Sequence, residues 1–144
     1  MKLPKLLKYY FFFLLIALSL FSCKKDNSQE LLQKAQNSLA VSKPDVAMGL
    51  LDSIRNPENM DKNDYMQYIV TYIGAKYEAG KDITKDSLIL VAQRYFYMKG
   101  KPDESAIANY YAAQFYDENA NFPKALEFYM NTVLEADKSN NSER

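Results

Sequence analysis

The fold of this chain is decided by residues 112–129, which read AAQFYDENANFPKALEFY. Apolar residues lie three or four positions apart on both sides of a polar segment at 117–121, and this spacing is typical of two amphipathic helices joined by a turn. Asn121 is a suitable N-cap for the second helix. Ala125 follows early in that helix, where two crossing helices need a short side chain to approach each other closely. The stretch therefore predicts a helical hairpin.

The same spacing continues along the chain and predicts an all-α fold. Asp61 is expected to cap a helix, Pro44 and Pro102 are suitable first-turn residues, and Gly80 and Gly100 stand where a left-handed helix end is favoured. No segment shows the sustained alternation of a β-strand. We expect six helices, pairing into three antiparallel hairpins, at about residues 29–41, 44–54, 64–79, 85–99, 102–118 and 122–137.

The hairpins resemble one another in sequence. Ala47 and Ala125 hold equivalent places in the second helix of a pair and are 78 residues apart, with Ser87 near the midpoint. The repeat period is then about 39 residues. Because each unit of a helical array buries its apolar face on its neighbours, the pattern predicts a helix-hairpin solenoid of about three repeats.

Two segments resemble the tetratricopeptide repeat, whose first helix follows aromatic-x₂-Leu-Gly-x₂-Tyr and whose second carries Ala-x₃-Phe/Tyr. Residues 70–77, VTYIGAKY, match the first pattern except at its leading aromatic position, and residues 121–129, NFPKALEFY, match the second. The first pair departs from the pattern, with Ser38 where tyrosine is expected. The period also exceeds the usual value of about 34. The resemblance covers residues 28–139 and implies a protein-binding repeat domain over residues 29–139.

The N-terminus has the features of a secretory signal peptide. Three lysines fall within residues 1–8, an apolar run of 13 residues interrupted only by Ser19 covers 9–21, and small Ser22 follows. This order suits export and cleavage. The rival is an uncleaved membrane anchor, which needs about 20 apolar residues, and Lys24, Lys25 and Asp26 end the run well before that. We therefore predict residues 1–22 to be a cleaved signal peptide.

Leu20-Phe21-Ser22-Cys23 resembles a bacterial lipobox, and Cys23 is the only cysteine in the chain. Residues 43–54, KPDVAMGLLDSI, and residues 86–89, DSLI, add a similarity to tetratricopeptide-repeat lipoproteins of Bacteroidota. This resemblance implies a diacylglycerol and an N-acyl lipid on Cys23, a lipidated tether at residues 23–28, and an exported protein anchored in the cell envelope, at the outer membrane. Two or three acyl chains would hold such a protein on the membrane almost permanently.

Composition argues against a nucleic-acid ligand and against most enzyme classes. Without residues 1–22 the chain carries 15 basic and 18 acidic residues, a net charge of −3, whereas phosphate binding requires a concentrated positive face. Histidine is absent, which removes the usual catalytic triads and imidazole metal sites. Carboxylate or serine–lysine chemistry remains formally open. We expect no catalytic residue, no metal and no cofactor besides the lipid.

The family resemblance also implies a binding surface, because the first helices of these repeats line a concave face. Aromatic anchors beside polar groups are suited to fixing an extended or helical peptide. The alternative is a solvated face without a partner. The groove positions of the family carry over to eight residues of the second and third pairs: Tyr68, Thr71, Ala75, Glu78, Ile107, Tyr110, Gln114 and Asp117.

The last helix raises a separate expectation. A helical array normally ends in a helix with a polar outer face, but Leu126, Met130 and Val133 lie on a helix that is followed only by a disordered tail, residues 140–144. We expect an exposed apolar face here. It indicates self-association, another partner, or a chain cut short from a longer relative.

These observations favour a lipid-anchored helical-repeat protein that binds a protein or peptide partner at the bacterial cell envelope, without catalysis. The first alternative is the input or sensor fragment of a longer tetratricopeptide-repeat signalling protein. The second is a nutrient-uptake accessory lipoprotein or a small envelope enzyme that uses carboxylates.

Overall fold

The computed structural model describes residues 27–142, and this part of the chain is all-helical, as the sequence predicts. The predicted signal peptide at 1–22 and most of the predicted tether, including Cys23, lie outside the described residues. None of the helices within 27–142 is long and apolar enough to cross a membrane. The elements are α1 (Ser28–Ala40), α2 (Pro44–Asp52), a short 3₁₀ helix (Pro57–Asn59), α3 (Lys62–Glu78), α4 (Leu88–Lys99), α5 (Pro102–Glu118) and α6 (Phe122–Ser142).

Several helix ends have the chemistry that the sequence predicts. The carboxylate of Asp61 caps α3 by accepting the backbone N–H of Asn63 at 2.8 Å. Gly80 and Gly100 have φ angles of +68° and +62°, the left-handed conformation that glycine adopts without a steric penalty. These glycines end α3 and α4, and therefore fix where the chain leaves each helix.

The start of α4 differs from the expectation. Residues 85–87 precede the helix, so Ser87 stands before its first residue, and the fully buried small residue within α4 is Ala92. Side-chain contacts hold the loop outside the helix. The Asp82 carboxylate accepts the Thr84 N–H at 2.7 Å, and Asp86 forms an ion pair with Lys76 of α3. The second helices and their buried small residues therefore do not recur at the even interval of 39 residues that the sequence predicts.

The last helix is longer than expected and continues through 140–142, which the sequence assigns to a disordered tail. Its final turns are held by polar contacts. The Ser139 hydroxyl hydrogen-bonds the Asp103 carboxylate at the start of α5, and Lys138 pairs with Glu135 at 2.5 Å. Glu135 and Ser139 are both buried. Because the Ser139–Asp103 hydrogen bond joins the end of α6 to the start of α5, the helix gains tertiary support that its sequence alone does not reveal.

Each helix packs against the next, and the first helices of successive pairs also touch: α1 contacts α3, and α3 contacts α5. Two buried clusters result. One joins α1, α2 and Ala75 of α3, and the other joins α3, α4 and α5 with Ile83 of the intervening loop. Tyr68 packs against both clusters. Helix α3 therefore belongs to both halves of the hydrophobic core.

Gly74 of α3 faces the ring of Tyr111 of α5. A Cβ atom at residue 74 would lie 2.6 Å from both Cε2 and Cζ of that ring, well inside van der Waals contact. The ring has little freedom to move, since Tyr111 is buried and packs against Tyr77 and Tyr110 with ring centroids 6.4 and 5.1 Å away. The absence of a side chain at residue 74 sets the spacing of the two helices.

We predict that Gly74→Ala destabilises the protein by about 1–3 kcal/mol, because the added methyl group forces α3 and α5 apart or displaces the Tyr111 ring. Gly49→Ala in α2 is the matched control, since nothing lies within 4 Å of a Cβ added there. Alanine in that open helical position should stabilise by about 0.5–1 kcal/mol. Denaturant unfolding followed by circular dichroism measures both changes, and equal effects of the two substitutions would contradict the packing argument.

Candidate functional site

Helices α1, α3 and α5 line one groove, with a volume of about 630 Å³. We call it the α1–α3–α5 groove. One buried side chain of α4, Phe96, also reaches it. Its walls are Gln33, Gln36, Asn37, Leu39 and Ala40 of α1, Gln67, Val70 and Thr71 of α3, and Glu104, Ile107 and Tyr111 of α5.

Carboxamide side chains supply most of the polar groups of the groove. Gln36 of α1 donates through Nε2 to Oε1 of Gln67 of α3 at 3.0 Å, so this bond crosses from one wall to the other. Gln33 and Asn37 pair along α1 at 3.4 Å. Each carboxamide carries two donors and an acceptor with two lone pairs. These pairwise bonds leave capacity for a ligand that presents both N–H and C=O groups.

The remaining lining is apolar and almost uncharged. Val70, Phe96 and Tyr111 are buried core residues whose edges line the groove, whereas Ile107 is 52% exposed and stands open to it. Glu104 is the one charged side chain among the groove residues that the structure describes, and it already faces the ammonium of Lys101 at 3.5 Å. An apolar surface with a few convergent polar groups is the usual character of a binding cleft.

The structure places two of the eight carried-over groove residues, Thr71 and Ile107, in the α1–α3–α5 groove. On both α3 and α5, the predicted residues lie roughly 70° around the helix axis from the residues that line the groove, at 100° per residue. On α3, this offset is explained by packing. Ala75 packs at zero exposure against α1 and α2, which leaves Gln67 and Val70, rather than Ala75 and Glu78, on the open side.

The other carried-over residues lie elsewhere. Tyr68 stacks between Tyr65 and Tyr72, with ring centroids 6.4 and 5.7 Å away. Tyr110 contacts Tyr77, Tyr111 and Tyr129, Gln114 is buried, and Asp117 is exposed. Glu78 lines a second, polar cleft of about 750 Å³ at the carboxyl ends of α3 and α5, with Tyr77, Gly80, Lys81, Asp82, Thr84 and Glu118.

The sequence patterns did not predict that the carboxamides of α1 and the buried Tyr111 line the groove. The family motif is degenerate in the first pair, so it nominated no residue there. A usable signal is nevertheless present. Residues 33, 36, 37 and 67 are all Gln or Asn, and the first three share one face of a helix at i, i+3 and i+4.

Three further residues named from the sequence are exposed on α6. Leu126, Met130 and Val133 are 62%, 60% and 60% exposed. Among the residues that the structure describes, no group of three or more Cys, His, Asp or Glu side chains is arranged to hold a metal ion.

No family model, no curated protein and no solved structure matches the chain.

Burial at the Tyr65–Tyr68–Tyr72 stack changes the acidity of its central phenol. Desolvation, together with the nearby Tyr72 and Asp52, raises the pKa of Tyr68 from 10.0 to about 12. Burial and a hydrogen bond with Asp52 also raise the pKa of Tyr72. When a phenol has a higher pKa in the folded protein than in the unfolded chain, it contributes fully to stability at pH values below its pKa in the unfolded chain. That contribution is lost as the pH rises through its pKa in the folded protein.

We therefore predict that the free energy of unfolding falls as pH rises from about 10 to about 12. Tyr68→Phe should make the fall smaller, since one partly buried phenol no longer ionises. Tyr97→Phe, at an exposed position on α4, should leave the fall as in the unsubstituted chain. Unfolding at fixed pH steps, with tyrosinate absorbance followed in parallel, measures both. An unchanged slope in Tyr68→Phe would contradict the assignment.

Proposed function

We propose that this protein is a lipid-anchored helical-repeat protein that binds a protein or peptide partner in the α1–α3–α5 groove, at the bacterial cell envelope and without catalysis. The observation that carries the proposal is the composition of this groove. Carboxamides line one part of it, apolar side chains line the rest, and its single carboxylate already faces a lysine. Such a lining suits a peptide, whose main chain presents alternating donors and acceptors.

The helix contacts support a tetratricopeptide-like arrangement for the domain. Within each pair the two helices pack together, the second helix packs on the first helix of the next pair, and the first helices contact one another in order, α1 with α3 and α3 with α5. In a repeat array of this kind the first helices share one face. The groove residues are consistent with that arrangement, since all except Phe96 come from α1, α3 and α5.

A lipid on Cys23 would hold the groove close to a membrane. Four residues, 24–27, lie between Cys23 and Ser28 at the start of α1, and the five extended peptide units from Cys23 to Ser28 span at most about 18 Å. The domain would therefore be confined near the bilayer surface. Partners that share this surface would meet the groove at a raised effective concentration.

The groove is tested by site-specific photo-crosslinking in intact cells. A photoreactive residue at Ile107 should capture a discrete partner, because this side chain is half exposed and lines the groove. The same residue at Met98, which is 73% exposed on α4 and lies outside the groove, is the matched control. Gln67→Leu should weaken capture at Ile107 by about tenfold, the cost of one well-placed hydrogen bond. Identical captures at both positions would refute groove binding.

The anchor is tested separately. We predict that Cys23→Ala abolishes incorporation of a metabolically supplied alkyne fatty acid and leaves the signal peptide uncleaved, since the thiol is the atom that would receive the lipid. Ser22→Ala is the control, because a small residue remains before the cysteine, and labelling should persist. Fatty-acid labelling that survives in Cys23→Ala would show that the lipid is attached elsewhere or that the signal is misassigned.

A further inference from the structure

Helix α6 carries a continuous apolar stripe on its outer side. Its members are separated by four, four, three and one residues, which places them on one face of a helix. All are more than half exposed: Phe122 63%, Leu126 62%, Met130 60%, Val133 60% and Leu134 56%. We call this set the α6 stripe.

Nothing in the described fold covers this stripe. The second helices of the earlier pairs each receive a following helix, since α2 packs against α3 and α4 packs against α5. Helix α6 makes its main contacts with α5, and its buried side chains, which include Ala125, Glu135 and Ser139, lie on the other side of the helix. The stripe therefore has the size and position of a helix-packing surface without its helix.

The apolar area of the stripe is large enough to contribute to a protein–protein interface. Five large apolar side chains, each more than half exposed, present roughly 500 Å² of surface, at the upper end of what a typical monomer exposes in one patch. Two such stripes brought together would bury about 1,000 Å² before any rim is counted, near the lower limit of specific interfaces. A dimer of moderate, concentration-dependent stability is what such an area supports.

We propose that the α6 stripe is the interface of a homodimer in which two α6 helices pack antiparallel about a two-fold axis near residue 128. An antiparallel register about residue 128 matches the stripe to itself. Reversal about residue 128 sets Phe122 of one copy opposite Leu134 of the other, and Leu126 opposite Met130. Four of the five stripe residues then meet a partner from the stripe, and each of these pairings occurs twice, as a two-fold interface requires; Val133 falls opposite Pro123.

Charge selects the same orientation. Asp137 is exposed on α6 and continues the stripe one turn beyond Val133. In a parallel pair the two Asp137 carboxylates would face each other across an apolar contact, which is unfavourable. The antiparallel pair carries each Asp137 past Phe122 of the other copy, out of the apolar overlap. The helix dipoles also oppose each other in this arrangement, instead of aligning.

The test uses the full-length chain in detergent. Sedimentation should show a monomer–dimer equilibrium, and Leu126→Glu/Met130→Glu should remove the dimer at every concentration examined. Both residues are largely exposed in the monomer, so helical circular dichroism should not change. Met98→Glu on α4 replaces an even more exposed apolar residue, 73% exposed, and should leave the dissociation constant within about twofold.

Cysteine cross-linking tests the orientation. Chains with Phe122→Cys should join to chains with Leu134→Cys through a short bismaleimide, while neither should join to itself, since like residues at these positions lie about 18 Å apart along the antiparallel pair. The unsubstituted chain, with Cys23 alone, is the background. Self-joining at both positions would replace this geometry with a parallel pair. A monomer at all concentrations, or a dimer that survives the double glutamate variant, would overturn the proposal.

Discussion

The contact between Gly74 of α3 and the ring of Tyr111 of α5 is the constraint on which the rest of the structure depends. A Cβ at residue 74 would overlap the ring at 2.6 Å, so the two helices can approach this closely only because the side chain is absent. Tyr111 is buried, and desolvation raises the pKa of its phenol. The same residue lines the α1–α3–α5 groove. The α3–α5 packing that stabilises the core thus also positions one side chain of the proposed binding site.

Helix α3 also contacts α1 and α2, so its position affects the packing of those two helices. Its groove side carries Gln67, whose carboxamide accepts a hydrogen bond from Gln36 of α1 at 3.0 Å, while Ala75 packs without exposure against α1 and α2. A rotation of α3 would break both contacts at once. Because Tyr68 joins the two hydrophobic clusters, the rotation would also disturb the core on both sides. The groove is consequently held by buried packing as well as by the polar bond across it.

The local patterns of the sequence predict the helices well, but they do not predict how each helix is turned. The Asp61 cap, the two helix-ending glycines, and the buried positions of Ala47 and Ala125 follow from short-range chemistry. The orientation of α3 depends instead on residues about 30 to 40 positions away, such as Gln36 and Tyr111. No local pattern records those contacts, so the residues carried over from the family lie roughly 70° around the helix axis from those that line the α1–α3–α5 groove. Likewise, the final turns of α6 depend on Asp103, far upstream in the chain.

The proposed dimer and the proposed groove are compatible because they use different elements. No residue of α6 lines the α1–α3–α5 groove, and the α6 stripe lies on the side of that helix away from its buried residues. Pairing through α6 would leave the groove lining of each copy unchanged, and the dimer would present two grooves. Two linked sites raise apparent affinity for a partner with repeated segments, provided that both can be engaged together. A moderate dimer would then make binding depend on protein density, and anchoring to a surface is one way to increase that density.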